Sequence, residues 1–311
     1  MRFRAQIALS LVALAACVLA VGFSAASFTD SKQNPQTISA VSDFLAPSAS
    51  ASTIGKSQGG LDGTIRPGGT YYVYASVADS GNPASGIASV KADVSAITSG
   101  QTAVSLSATG GPFAVDGVSY NYRSAQLTAS SSLSAGAKTY KLTLADAAGN
   151  TEVQEFSVSV VANTAFKASA FSTDDKAGTE GRPEKGDTVA FTFDKAPDPY
   201  SIASGWNGAG TKAVTVSITN DGEEDNLSVG DTNIGSVELK GDYTSSTATF
   251  SGSSMTLSGS VVTVVLGTAS GSVKTDTGKS KAAWTPTSSL FDLVGNACST
   301  SSVSSGNQKQ F

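Results

Sequence analysis

The chain has no histidine among its 311 residues. That absence excludes Ser–His and Cys–His catalysis and every imidazole metal ligand. Cysteine is nearly absent too, with Cys17 and Cys298 alone. Cys17 falls in a segment expected to be removed, so no intramolecular disulfide is expected, although the compartment would permit one. Cys298 is read as a small buried hydrophobe, with a free thiol for intermolecular pairing as the alternative. Charge is scarce: Asp, Glu, Lys and Arg make up 14%, against about 25% in an average domain. The net charge of −5, with only 20 Lys and Arg, lacks the electrostatic footprint of a nucleic-acid binder. Beyond the N-terminus no window sustains a 3.6-residue apolar period, which argues against a helical body.

The one long apolar run is N-terminal. Arg2 and Arg4 precede apolar residues from Ala5 to about Ala26, and Ser24-Ala25-Ala26 supplies small residues before polarity begins. This is the pattern of a secretory signal over residues 1–26. Cleavage before Ser27 is expected, with an uncleaved anchor as the alternative because the run is long. Leu14-Ala15-Ala16-Cys17 resembles a lipoprotein cleavage box, but Val18 to Phe23 remains apolar beyond it. The stretch Ala25-Ala26-Ser27-Phe28-Thr29-Asp30, with Asn34 after it, resembles the SipW-type signal region of camelysin/TasA-like surface and matrix proteins. Residues 27–46 are expected to form an extended arm or spacer. Ile38, Val41 and Phe44 within it could add a strand to a neighbouring copy.

The rest of the chain alternates short Val/Ile/Thr/Tyr/Phe runs with Gly/Asn/Asp/Ser/Pro clusters, the all-β signature. Strands are expected near Ser52–Ile54, Thr70–Val77, Ile87–Val94, Ala103–Leu106, Tyr120–Thr128, Lys138–Leu144 and Val153–Val161. In the second half they are expected near Phe166–Phe171, Thr188–Phe193, Val214–Ile218, Ser236–Leu239, Ala248–Phe250, Met255–Leu257, Val261–Leu266 and Ser289–Leu293. Asp146-Ala-Ala-Gly-Asn150 recurs as Asp292-Leu-Val-Gly-Asn296. The Gly-Asn pair suits a tight turn with positive φ, and the Asp can accept backbone N–H bonds across it. A cation site is the alternative, short of ligands.

Val77-Ala78-Asp79, Ser85-Gly86-Ile87-Ala88-Ser89-Val90 and the Asp146–Asn150 turn resemble bacterial Ig-like surface domains. Gly186-Asp187-Thr188-Val-Ala-Phe-Thr-Phe193, followed by Ala196-Pro197-Asp198-Pro199, resembles the Ig-like domain of SbsA-like S-layer proteins. The resemblance implies an all-β chain of two tandem immunoglobulin-like β-sandwiches after an N-terminal signal/anchor helix. The expected sandwiches span 47–162 and 163–303, with a C-terminal tail over 304–311. Such modules are structural or adhesive, and the fold supplies no activity by itself.

No catalytic constellation stands out in the sequence. No Ser-x-x-Lys stands where a helix would hold both on one face, and the Gly-Gly pairs lack the Lys-Ser/Thr of a phosphate loop. The densest acidic stretch is Asn220–Asn226, where Asp221, Glu223 and Asp225 are candidate calcium ligands against the plainer reading of a solvated turn. Tyr71, Tyr72, Tyr74, Tyr120 and Tyr122 cluster on expected strands, with Tyr71 on the opposite face from Tyr72 and Tyr74; core packing is expected, with a glycan or peptide platform as the alternative. Trp206, in Gly205-Trp206-Asn207-Gly208, is the candidate exposed ligand-binding aromatic, the alternative being a loop anchor. Trp284 reads as core.

The expected protein is therefore a secreted, non-enzymatic cell-surface or matrix structural protein. Its alternative is an adhesin that recognises glycan or protein through domain-end loops. No cofactor beyond that calcium site is expected. The expected partners are envelope or matrix components and the protein itself, with contact to a membrane only through the signal.

Overall fold

A computed structural model describes residues 43–176 and 178–311. The expected signal, its helix and nearly all of the arm lie outside the described residues. Among these residues no helix is long and apolar enough to cross a membrane. Their regular structure is nearly all strand, in two large sheets.

The first sheet is built from β1 (Ser48–Gly55), β2 (Thr64–Ile65), β3 (Thr70–Ala78), β4 (Ile87–Asp93), β5 (Val104–Ser107), β8 (Tyr122–Ser124), β9 (Leu127–Thr128), β10 (Gly136–Asp146) and β11 (Thr151–Val160), while β6 (Phe113–Val115) and β7 (Val118–Tyr120) form a separate hairpin. The order is β1-β3-β8-β5-β4-β10-β11-β2, with β9 on β3. The strands β1-β3-β8 face β4-β10-β11, and β5 carries the sheet round from one layer to the other. This is the strand division of an immunoglobulin-like sandwich. Alternation explains the core: Tyr71, Val73, Ala75 and Val77 point inward from β3, against Tyr140, Leu142 and Leu144 from β10. The opposite face of β3 is covered as well. Tyr74 packs with Phe113, Val115 and Tyr120 of the β6–β7 hairpin, and the Arg123 guanidinium lies 4.8 Å from the centre of the Tyr72 ring. The tyrosine cluster is thus split between two packed layers.

The ring closes on its other side through a side chain. The Gln154 carboxamide on β11 accepts from Ala49 N (2.6 Å) and donates to Ala49 O (3.4 Å) on β1. It substitutes for one ladder pair. Beside it β2 pairs with the end of β11 in parallel, Thr64 opposite Ser159 and Ile65 opposite Val160.

The second sheet contains β12 (Ala168–Asp174), β13 (Thr188–Phe193), β14 (Lys212–Thr219), β15 (Asn226–Val229), β16 (Ser236–Glu238), β17 (Ala248–Ser258), β18 (Val261–Val265), β19 (Thr268–Ser270), β20 (Ala283–Thr285) and β21 (Val303–Ser304). Its order is β12-β13-β18-β17-β14-β15-β16-β20-β21, with β19 on β17. A single turn of helix, α1 (Pro199–Ile202), is capped by Asp198, whose carboxylate accepts from Tyr200 N. Trp284 is fully buried on β20. Its ring meets Phe191 and Phe193 edge-on at about 5 Å, and its indole N–H donates to Ile234 O at 2.8 Å.

The structure differs from the sequence expectation in several places, among them the run expected as one strand over Tyr120–Thr128, which is divided among the end of β7, β8 and β9. The runs expected as separate strands at 248–250 and 255–257 are one strand, which passes a register shift opposite Val214–Val216 with Gly252 at φ 75°. Ser289–Leu293 makes only isolated bridges. Residues 304–311 are not a free tail: Ser305, Gln310 and Phe311 are buried, and Phe311 packs edge-on against Tyr243. Gln310 is held by Thr173, Ser280 and Ser305.

Candidate functional site

The acidic loop is organised by one buried carboxylate. Asp225 Oδ2 accepts from Tyr243 N and Thr244 N at 2.7 Å each, and Oδ1 accepts from Asp221 N at 3.2 Å. Asp221 in turn accepts from the Asn226 side chain, and Glu223 is exposed. The three candidate ligands Asp221, Glu223 and Asp225 are therefore not brought together around one point; the loop's inner carboxylate is consumed by backbone donors. Trp206 is 5% exposed and belongs to the second core, so it is a loop anchor rather than a surface platform. Cys298 is buried, and desolvation pushes its thiol up to about 11. That fits a packing residue.

The repeated Asp-x-x-Gly-Asn sequences adopt one geometry. In the first, Asp146 N donates to Asn150 O (3.1 Å), while Asn150 N and Nδ2 donate to Asp146 Oδ1 and Oδ2 (2.8 Å each). In the second, Asp292 N donates to Asn296 O (3.0 Å), while Asn296 N and Nδ2 donate to Asp292 Oδ1 and Oδ2 (2.8 Å each). Gly149 and Gly295 have φ of 93° and 91°, a region that favours glycine. Both aspartates are buried. The first turn joins β10 to β11, whereas the second lies in the irregular stretch between β20 and β21.

Asp146 also belongs to the one cluster of potential metal-binding side chains found among the described residues. Asp43, Asp79 and Asp146 each bring an oxygen within 4.8 Å of the others. All six carboxylate oxygens already accept a hydrogen bond: Asp43 from Leu45 N and Ser85 N, Asp79 from Gly81 N and Gly86 N, and Asp146 from Asn150. The Leu45 and Ser85 amides hold the Asp43 carboxyl below its ordinary value. Three monodentate oxygens fall well short of the six to eight that calcium requires. The trio makes this end of the first sandwich acidic. The second turn has an ammonium nearby instead, with Lys195 Nζ 3.8 Å from Asp292 Oδ2.

The second turn meets the first sandwich. Leu61 N donates to Leu293 O (3.1 Å) and Arg66 Nε to Gly295 O (2.8 Å). Lys56 Nζ lies 3.2 Å from Asp198 Oδ2. Arg66 and Pro67 are tied to the connecting segment through Asn163. The approach is close enough to require glycine: a Cβ on Gly59 would collide with the Asp198 carboxylate. Two clefts of about 500 Å³ flank the 56–61 loop and share Lys56, Gln58, Tyr200 and Leu293.

Sequence reading found the turn but missed what grips it. A signal was present: Arg-Pro occurs twice, at Arg66-Pro67 and Arg182-Pro183, in a chain with five arginines. Each pair precedes the second long strand of its sandwich, and both prolines are buried. No family model matches the chain, and no curated protein matches it.

Proposed function

We propose that this protein is a secreted, non-enzymatic structural component of the cell surface or extracellular matrix, built of Ig-like modules. The observation that carries the reading is the bonded junction. Lys56, Leu61 and Arg66 of one sandwich hold Asp198, Leu293 and Gly295 of the other by main-chain and charge-assisted bonds. Such a contact fixes the relative orientation of two modules that a five-residue connection would otherwise leave free to swing. A stiff pair of modules suits a spacer or building block. The signal-like N-terminus and the likeness to bacterial Ig-like and SbsA-like surface domains support the same reading.

Fractionation of native cells, with N-terminal sequencing of the mature chain, tests it. The expected result is envelope or medium location and a start near Ser27. A cytosolic pool that retains Met1 would refute it. The adhesin reading has one observation in its favour, the clefts beside the junction, where Tyr200, Gln58, Asn207 and Asn233 offer a ring and neutral amides. Saturable binding on a glycan or protein array would support that reading.

A further inference from the structure

We infer that copies of this chain associate head to tail, the far end of the second sandwich gripping the Asp146–Asn150 turn of the next copy as Arg66 grips the Asp292–Asn296 turn within the chain, with Lys56 beside it on Asp198. The inference rests on the structural-module reading but asks a separate question, since a monomeric surface protein would satisfy that reading and not this one.

The gripping elements recur. Lys56 directly follows β1, and Lys176 follows β12 by two residues. Arg66-Pro67 leads into β3, and Arg182-Pro183 leads into β13. The chain leaving each module passes the same point: Val161 N donates to Ile65 O (2.8 Å), and Gly181 N donates to Phe311 O (2.7 Å). The second sandwich therefore presents Lys176 and Arg182 at the end corresponding to Lys56 and Arg66. Arg66 Nε is hydrogen-bonded to Gly295 O. Arg182 Nε is instead covered by its own chain, 3.3 Å from Glu184 Oε1, so the exposed remainder of this side chain is what a second copy would meet.

The gripped element recurs as well. Ala147 and Gly149 correspond to Leu293 and Gly295, whose carbonyls receive Leu61 N and Arg66 Nε. In the second turn Leu293 and Val294 are half-buried and Gly295 is buried; in the first, Ala147, Ala148 and Gly149 are all exposed. A Cβ placed on Gly295 would lie 3.3–3.4 Å from Lys56 and Arg66, whereas nothing lies within 4 Å of the same point on Gly149. Charge is complementary only in part: Asp43, Asp79 and Asp146 gather at this end, and the incoming end brings Lys176 and Arg182 set among Asp174, Asp175, Glu180 and Glu184.

The contact is weak by construction. Within the chain, the 161–165 connection holds the partners at high effective concentration. Between copies nothing does, Ala147-Ala148 presents less apolar surface than Leu293-Val294, and Lys176 and Arg182 already pair with Asp174 and Glu184. Because the two surfaces differ, the contact is heterologous and extends into chains rather than closing a dimer.

The test is sedimentation velocity on the purified protein up to about 2 mM, with a trapping experiment alongside. The expected result is a mass that rises with concentration, falls in high salt, and needs about tenfold more protein in Arg182→Ala, the loss of one bond to a charged group. Ala148→Trp should abolish it. Arg66→Ala, which touches only the internal junction, should leave it in place. Mixed Arg182→Cys and Ala148→Cys proteins should form a disulfide between copies under mild oxidation. Constant monomer mass with no trapped disulfide overturns the inference. So does association that both Arg182→Ala and Ala148→Trp leave untouched.

Discussion

Asp225 shows how little a residue's identity reveals about what its oxygens face. Its carboxylate is fully buried and holds the backbone amides of Asp221, Tyr243 and Thr244. Replacing it with Ala leaves buried donors unpaired, so Asp225→Ala should cost about 2–3 kcal/mol in urea unfolding. Wild-type stability in that variant would show that the loop holds without it. The sequence marked the same stretch as acidic and therefore as a calcium candidate. Whether carboxylates converge on a cation or turn to backbone N–H groups depends on loop conformation, which a run such as Asn220–Asn226 does not specify. Trp206 was ambiguous for a related reason, since flanking glycines define a loop but not the direction of the ring. Asp146 and Asp292 were easier to read. Asp-x-x-Gly-Asn prescribes its own conformation, because the glycine takes the positive φ and the side-chain bonds lie within five residues.

At the scale of strands, the regular alternations were legible. Val189, Phe191 and Phe193 define β13, and Val214, Val216 and Ile218 define β14, because a two-residue period under a half-buried sheet leaves little choice. The irregular parts were hidden. β6 and β7 are three residues each, too short to show a period, yet with Phe113, Val115 and Tyr120 they cover Tyr74. The last residues, Ser305 to Phe311, carry one aromatic among polar neighbours and gave no hint of burial. The Gln154 clasp between β11 and β1 was equally invisible, since nothing in a lone glutamine announces two bonds to Ala49. Its removal is informative. Gln154→Ala should lose about 1–2 kcal/mol and speed amide exchange at Ala49, as read by hydrogen exchange. Unchanged protection at Ala49 would mean that β1 is secured by β3 alone.

For the described chain as a whole, the two main cores are separate: Ile54, Tyr71 and Leu142 belong to one, Phe191, Phe250 and Trp284 to the other. Each sandwich should therefore unfold as its own cooperative unit, with the junction adding a modest coupling. Phe250→Ala removes a fully buried ring and should cost about 3–5 kcal/mol. Calorimetry should show one transition shifted down and the other nearly unmoved. A single transition displaced as a whole would mean that the junction binds the two cores into one folding unit. The sequence indicated two like units through the repeated turn. It did not indicate that the second turn is the seam between them, because that depends on Arg66 and Leu61, more than two hundred residues away.

The parallel pairing of β2 with the end of β11 has a mechanical consequence. Ser159 N bonds Gly63 O at 2.9 Å and Val161 N bonds Ile65 O at 2.8 Å. Tension applied through the two ends of this sandwich enters at β1 and leaves at β11; once β1 has given way and the load reaches β2, it pulls β2 and β11 along their own axes in opposite directions. These bonds are then loaded in shear, all at once, rather than peeled one by one. Rupture must break the whole patch in a single event, so the sandwich yields at a higher force than its equilibrium stability alone would suggest.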